Sequence, residues 1–178
     1  MSDVLGAVHD FCLTYLDPPK PPIVRGWQNR AALPASSSCI VLTLLSAARR
    51  GTNARRFFSA QDDDLSAEEQ KAMLTEYAVQ ADFCGLSEET ESARAAKIAL
   101  LWEDARAAEF LRPFGFAPYF AGQIRAMPFR NEFAQWSVRY SLDLHLGGWT
   151  ELSRTAEAFS GVSVTIENAD VHHVPHKE

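Results

Sequence analysis

Long apolar runs are missing from this chain. No stretch reaches the roughly 18 consecutive apolar residues that a membrane-spanning helix needs, and Asp3, His9 and Asp10 interrupt the N-terminal segment where a secretory leader would carry its apolar core. No membrane role is expected, and synthesis and residence in the cytoplasm are. Cysteine is scarce: Cys12, Cys39 and Cys84 form an odd, widely spaced set without a CxxC, each inside an apolar run. They read as buried thiols in a reducing compartment rather than as a disulfide framework or a zinc set. Basic residues are outnumbered, 17 Lys+Arg against 23 Asp+Glu, for a formal charge of -6. Neutralising phosphates draws on net positive surface, so the charge argues against nucleic-acid binding as the main role and leaves room only for a local basic patch.

Catalytic signatures are also lacking. The chain has no GxSxG, HExxH or GxxxxGK[ST], and a nucleophile would need a base and an orienting third group. His172, His173 and His176 stand in the C-terminal VHHVPHKE. Adjacent histidines on an extended segment point to opposite sides, so this stretch, about residues 171–178, reads as a flexible solvated tail and not as a metal site. His9 and His145 read as a surface and a sheet-face histidine. No catalytic residue, cofactor or metal is expected.

What the chain does contain is alternation. In WSVRYSLDLHL, residues 136–146, the positions Trp136, Val138, Tyr140, Leu142, Leu144 and Leu146 alternate with Ser137, Arg139, Ser141, Asp143 and His145. That is the period of a strand with one face on a core and the other toward water or a partner. The glycines of Gly147-Gly148-Trp149 predict a turn or bulge at its end. The run CIVLTLLSA, residues 39–47, reads as a central strand with both faces covered, paired with LTEYAVQADFCG, in which Tyr77, Val79, Ala81 and Phe83 alternate. GVSVTIENADV, with Val162, Val164 and Ile166, reads as a last strand closing the sheet.

Two helices are expected. Ser2 or Asp3 caps the first, whose Val4, Leu5, Val8, Phe11, Cys12, Tyr15 and Leu16 fall at three- and four-residue steps before Asp17 stops it. DPPKPPIV then makes a stiff connector to Ile23, Val24, Arg25, Gly26 and Trp27, since four prolines remove donors and force extended geometry. The second helix, after Ser87 and Thr90, runs unbroken through ESARAAKIALLWEDARAAEFL to Pro113 and Gly115. Its inward stripe is Ile98, Leu101, Trp102, Ala105 and either Ala108 or Glu109. The aromatic segment FGFAPYFAGQIRAMPFRNEF, with Pro118 and Pro128, suits an ordered irregular loop.

Between the two central strands lie about 25 residues, ARRGTNARRFFSAQDDDLSAEEQ. A structureless loop of that length is uncommon inside a domain, so a β-hairpin arm at about residues 49–72, projecting from the body with a mobile tip, is expected. Its basic cluster Arg49, Arg50, Arg55 and Arg56 precedes the acidic Asp62, Asp63 and Asp64, followed by Glu68 and Glu69. Opposite signs on one extension allow salt bridging between identical subunits or to a partner ring. These seven residues, the four arginines and three aspartates, are the candidate interface. The expected fold is α+β: one domain over residues 1–178, with a single mixed or antiparallel sheet packed against two main helices and a projecting β-hairpin arm.

This order of elements resembles the tail terminator or neck terminator proteins of long-tailed bacteriophages. Three stretches carry the resemblance: IVRGWQNRAALP leading into CIVLTLLSAARRGTN, then LTEYAVQADFCG, then QWSVRYSLDLHLGGW, and together the likeness spans roughly residues 3–170. The resemblance implies a homo-hexameric ring that caps the tail tube, stops its polymerisation and meets a head-completion or neck protein, with the sheath as a further neighbour. DNA would pass through the lumen without sequence-specific binding. It implies a virion component of tail or neck, assembled in the host cytoplasm. Another head-tail connector, a head-completion protein or a baseplate subunit would share these features. The reading from a different class is a small-molecule-binding or catalytic α+β domain with residues 114–129 as a pocket wall.

Overall fold

Asp3 starts the first helix by accepting a hydrogen bond from the Gly6 amide, and helix α1 (Val4–Tyr15) follows. The computed structural model describes residues 3–26, 38–59, 66–130 and 136–157. Trp27, Asp62, Asp63, Asp64, the strand expected around Val162, Val164 and Ile166, and His172, His173 and His176 lie outside them. The apolar stripe of α1 buries Val4, Ala7, Val8, Phe11 and Cys12. The proline connector then turns the chain into strand β1 (Ile23–Arg25), held to the body by Lys97 Nζ on Asp17 Oδ2 at 2.6 Å and Arg94 Nη2 on the Pro19 carbonyl at 3.2 Å.

Strands β2 (Ser38–Ser59) and β3 (Ser66–Gly85) pair antiparallel from Ser38↔Gly85 to Ser59↔Ala67. On the other side of β3 runs β7 (Trp136–Glu157), antiparallel from Gly85↔Val138 to Ser66↔Glu157. Among the described residues seven strands form the sheet, in the order β1-β2-β3-β7-β4, where β4 is Phe116–Ala121, and β5 (Arg125–Ala126) and β6 (Phe129–Arg130) also pair β7. The β1 to β2 pairing is parallel and the rest antiparallel, so the sheet is mixed and the class is α+β.

One sheet face carries the core. Ile40, Leu42, Val79, Ala81, Phe83, Leu142, Leu144 and Leu146 are fully buried in one cluster with Phe11, Ile98, Leu111 and Trp102. The register predicted for the leucines of β7 is therefore the one seen. Phe11 meets Trp102 edge-on at 5.2 Å, and Trp102 Nε1 donates to the His145 carbonyl at 3.1 Å, which ties helix to strand without an unmatched indole N–H.

Four expectations are corrected. The second helix is two: α2 (Glu88–Trp102), capped by Ser87, and α3 (Ala105–Leu111), whose N-cap Asp104 accepts from the Arg106 amide. A short acidic side chain competes with helix continuation by capping a new start, and the break rephases the stripe so that Ala107 is buried and Ala105 exposed. The aromatic segment is not an irregular loop but edge strands β4 (Phe116–Ala121), β5 (Arg125–Ala126) and β6 (Phe129–Arg130). Pro118 is accommodated at a register shift between Pro118 and Phe120, where a missing N–H matters least. The β7 strand does not end at its glycine pair. A Cβ on Gly147 would lie 2.0 Å from Tyr119 Oη and one on Gly148 2.6 Å from Phe116 Cδ1, so these glycines let the aromatic side chains of β4 cross a continuous strand. The run of residues 39–47 is covered only at its start, since Leu44 and Leu45 are exposed.

Candidate assembly surface

Beyond the reach of β1 and β4, strands β2, β3 and β7 continue together as a three-stranded ribbon. Where a two-stranded hairpin is expected, β7 adds a third strand, from Leu74↔Trp149 to Ser66↔Glu157. Residues 60–65, which connect β2 to β3, lie outside the described residues. In β2 a register shift falls between Arg50 and Ala54, with Gly51 at φ 80°, a conformation that favours glycine.

The predicted arginines lie on this ribbon or, for Arg49, at its base, and do not act alike. Arg49 donates to the Gly51 carbonyl at 3.0 Å and so braces the bulge. Arg50 binds Glu76 Oε2 at 2.5 Å. Arg55 Nε sits 3.7 Å from Glu69 Oε1, while Arg56 is exposed. Asp62, Asp63 and Asp64 lie outside the described residues.

Sequence reasoning misplaced Glu69. Although it follows an acidic run in the sequence, it is buried, 2 % exposed, on the same ribbon face as Arg55, Lys71 and Arg154. The guanidinium of Arg154 hydrogen-bonds Oε2, and this contact holds the carboxyl below its ordinary value against the opposing effect of burial. Among the described residues Oε1 has no hydrogen-bond donor, although Lys71 Nζ is 3.6 Å away. The period-two spacing of Glu69, Lys71 and Met73 is the signal that could have placed the glutamate on one face with its cations. Glu76 is likewise held below its ordinary value, first by its hydrogen bond from Arg50 and also by His145, whose Nδ1 is 3.3 Å away. Phe120 stacks on that imidazole at 4.1 Å.

Apolar side chains accompany these charges. Phe57 and Leu152 are each 66 % exposed and Trp149 57 %. Isolated exposed apolar residues are ordinary, but on the outer strands of this ribbon Phe57 and Leu152 share one face and Trp149 stands on the other, all open to contact. At the base of the ribbon an open depression of about 460 Å³ is lined by Leu74, Arg112, Phe116, Tyr119, Gly147 and Trp149. Those residues hold no nucleophile with a base beside it. Among the described residues no group of three or more His, Cys, Asp or Glu is placed to hold a metal ion, and no helix is long and apolar enough to cross a membrane. Cys12, Cys39 and Cys84 are buried free thiols, and burial pushes that of Cys12 up to about 12.

An α+β domain that presents exposed apolar and charged side chains on an extension of its sheet has the design of an assembly component. The family model described as phage neck terminator protein matches residues 2–174, and the chain belongs to that family. It is thus a structural component of a bacteriophage tail or neck. A search of curated proteins finds no match.

Proposed function

We propose that six copies of this chain close into a ring at the head-proximal end of the tail tube. One face of the ring binds the last tube ring and stops polymerisation, and the opposite face binds a head-completion or neck protein, with the sheath as a further neighbour. DNA passes through the lumen without sequence-specific contact. The observation that carries this reading is the family match over residues 2–174, nearly the whole chain. The ribbon supports it, because a protein that works by assembly needs exposed contact surface more than an enclosed site. In this reading Arg49, Arg50, Arg55, Arg56, Asp62, Asp63 and Asp64 belong to a contact between identical subunits or with a partner ring. Copies assemble in the host cytoplasm and remain in the virion.

Electron microscopy of intact particles tests the proposal. The expected result is six-fold density for this chain between the tube and the head-completion proteins, and tubes of irregular length in its absence. Density at the distal end of the tail would make it a baseplate subunit and overturn the terminator reading. A monomer at high concentration that binds a small ligand tightly would favour a binding or catalytic domain instead.

A further inference from the structure

The ribbon has two outer edges, and they differ. On one side β2 runs on after the pairing with β1 stops at Arg25↔Leu42. On the other, β7 runs on past Phe116↔Gly148, where its pairing with β4 ends. Among the described residues no strand pairs with the outer edge of β2 over residues 54–59 or of β7 over residues 149–157. Among the described residues each presents a row of unmatched backbone N–H and C=O groups, which favours pairing with another strand.

Their side chains are complementary. The β2 edge bears Arg55 and Arg56 without an acidic residue, whereas the β7 edge bears Glu151, Arg154 and Glu157. Arg154 is held by Glu69 of the strand between, and Glu151 is exposed and, among the described residues, bonded to Gln70 Nε2 at 3.0 Å. The register rows Arg56↔Gln70↔Ser153 and Ala54↔Ala72↔Glu151 put Arg56 and Glu151 on the same face but on opposite outer strands. Within one chain they are separated by two strand spacings, about 10 Å, and do not pair. Phe57 and Leu152, both exposed, share the other face.

Direction completes the argument. Both β2 and β7 run antiparallel to β3, so they run the same way. One rotation applied repeatedly brings β7 of each copy beside β2 of the next, a heterologous joint that closes a ring when the rotation closes. We infer that a second copy of this chain occupies these edges. Residues 54–59 of one copy add in parallel to residues 149–157 of its neighbour, Arg56 faces Glu151 of the partner subunit, and Phe57 packs beside Leu152 of the partner subunit. The joint rests on the ring reading above and names its contact.

Arg56→Glu and Glu151→Lys test it, each alone and as an equimolar mixture of the two purified proteins, by measuring assembled mass. Each variant alone puts like charges at every joint and should associate at least about tenfold more weakly than the wild type. In the mixture, alternating copies place Glu opposite Lys and Arg opposite Glu, so rings should return. Circular dichroism should be unchanged throughout. A wild-type ring whose single variants also form normal rings would overturn the joint and leave the ring reading standing. Loss in both variants without recovery on mixing would also overturn it, as would be seen if another segment of the same chain covered these edges. A wild type that stays monomeric would sink the ring reading itself. Should either reversal lose its folded spectrum, Arg56→Gln and Glu151→Gln replace them, with weaker association expected and unchanged association overturning the joint.

Discussion

The same three strands build two unlike regions. In the body, one face of β2, β3 and β7 carries Ile40, Leu42, Val79, Phe83, Leu142 and Leu144, all fully buried together with residues of the three helices. Farther along, the same face carries Arg55, Phe57, Glu69, Lys71, Leu152 and Arg154, and of these only Glu69 is buried. Backbone pairing runs through both. What changes is the cover, so the body is stabilised by burial of apolar area, whereas the ribbon relies on its ladder and cross-strand pairs. A region of that kind gains most from meeting another surface.

Four variants would sharpen or break this contrast. Leu142→Ala, at the centre of the buried face, should destabilise the fold by about 2–5 kcal/mol in denaturant unfolding, as core leucine truncations do. A cost below 1 kcal/mol would mean that the helices cover the sheet far more loosely than the burial of Trp102 and Ile98 implies. Gly148→Ala marks the boundary between the regions. Its Cβ would meet the buried ring of Phe116, so overpacking of about 1–3 kcal/mol is expected. A neutral result would show that β4 yields easily.

Glu69 supplies a pH test confined to the ribbon. Its carboxyl is held below an ordinary value of 4.5, chiefly by Arg154. A carboxylate depressed in the folded state contributes stability that is full above the unfolded pKa and disappears as pH falls through the lowered folded value. Hydrogen exchange of residues 66–75 should therefore accelerate as pH drops below about 4.5, beyond the intrinsic chemical rate, and Glu69→Gln should show that acceleration already at pH 7. Equal protection in both proteins would remove Glu69 as a tie within the ribbon. The smallest effect is expected from Leu152→Ala, at an exposed site of the ribbon, within about 0.5 kcal/mol of wild type in the isolated subunit. A loss of several kcal/mol there would erase the distinction between ribbon and body.

Much of the body was legible in the residues. The alternation through Leu142, Leu144 and Leu146 predicted which face is buried, and the three- and four-residue steps from Val4 to Cys12 predicted the packed side of α1. The ribbon was less legible because charge is a poor guide to exposure when partners arrive from other strands. Glu69 looks solvated beside Glu68, yet Arg154 reaches it from 85 positions away along the chain. Arg50 and Arg55 looked free for a neighbour, yet Glu76 and Glu69 hold them from β3.

By itself the sequence determined the local terms: the capping aspartate and serine, the proline connector, the strand periods, the buried thiols and the family resemblance that residues 2–174 bear out. These depend on neighbours a few positions apart, where covalent geometry decides who meets whom. Only the tertiary structure decided that Asp104 splits a helix, that an aromatic stretch becomes edge strands, and that Gly147 and Gly148 continue a strand instead of ending it. Each of these depends on a partner distant in sequence. The alternation of β7 states that one face must be covered, but not how far along the strand the cover extends, because that length is set by where β1, β4 and the helices stop.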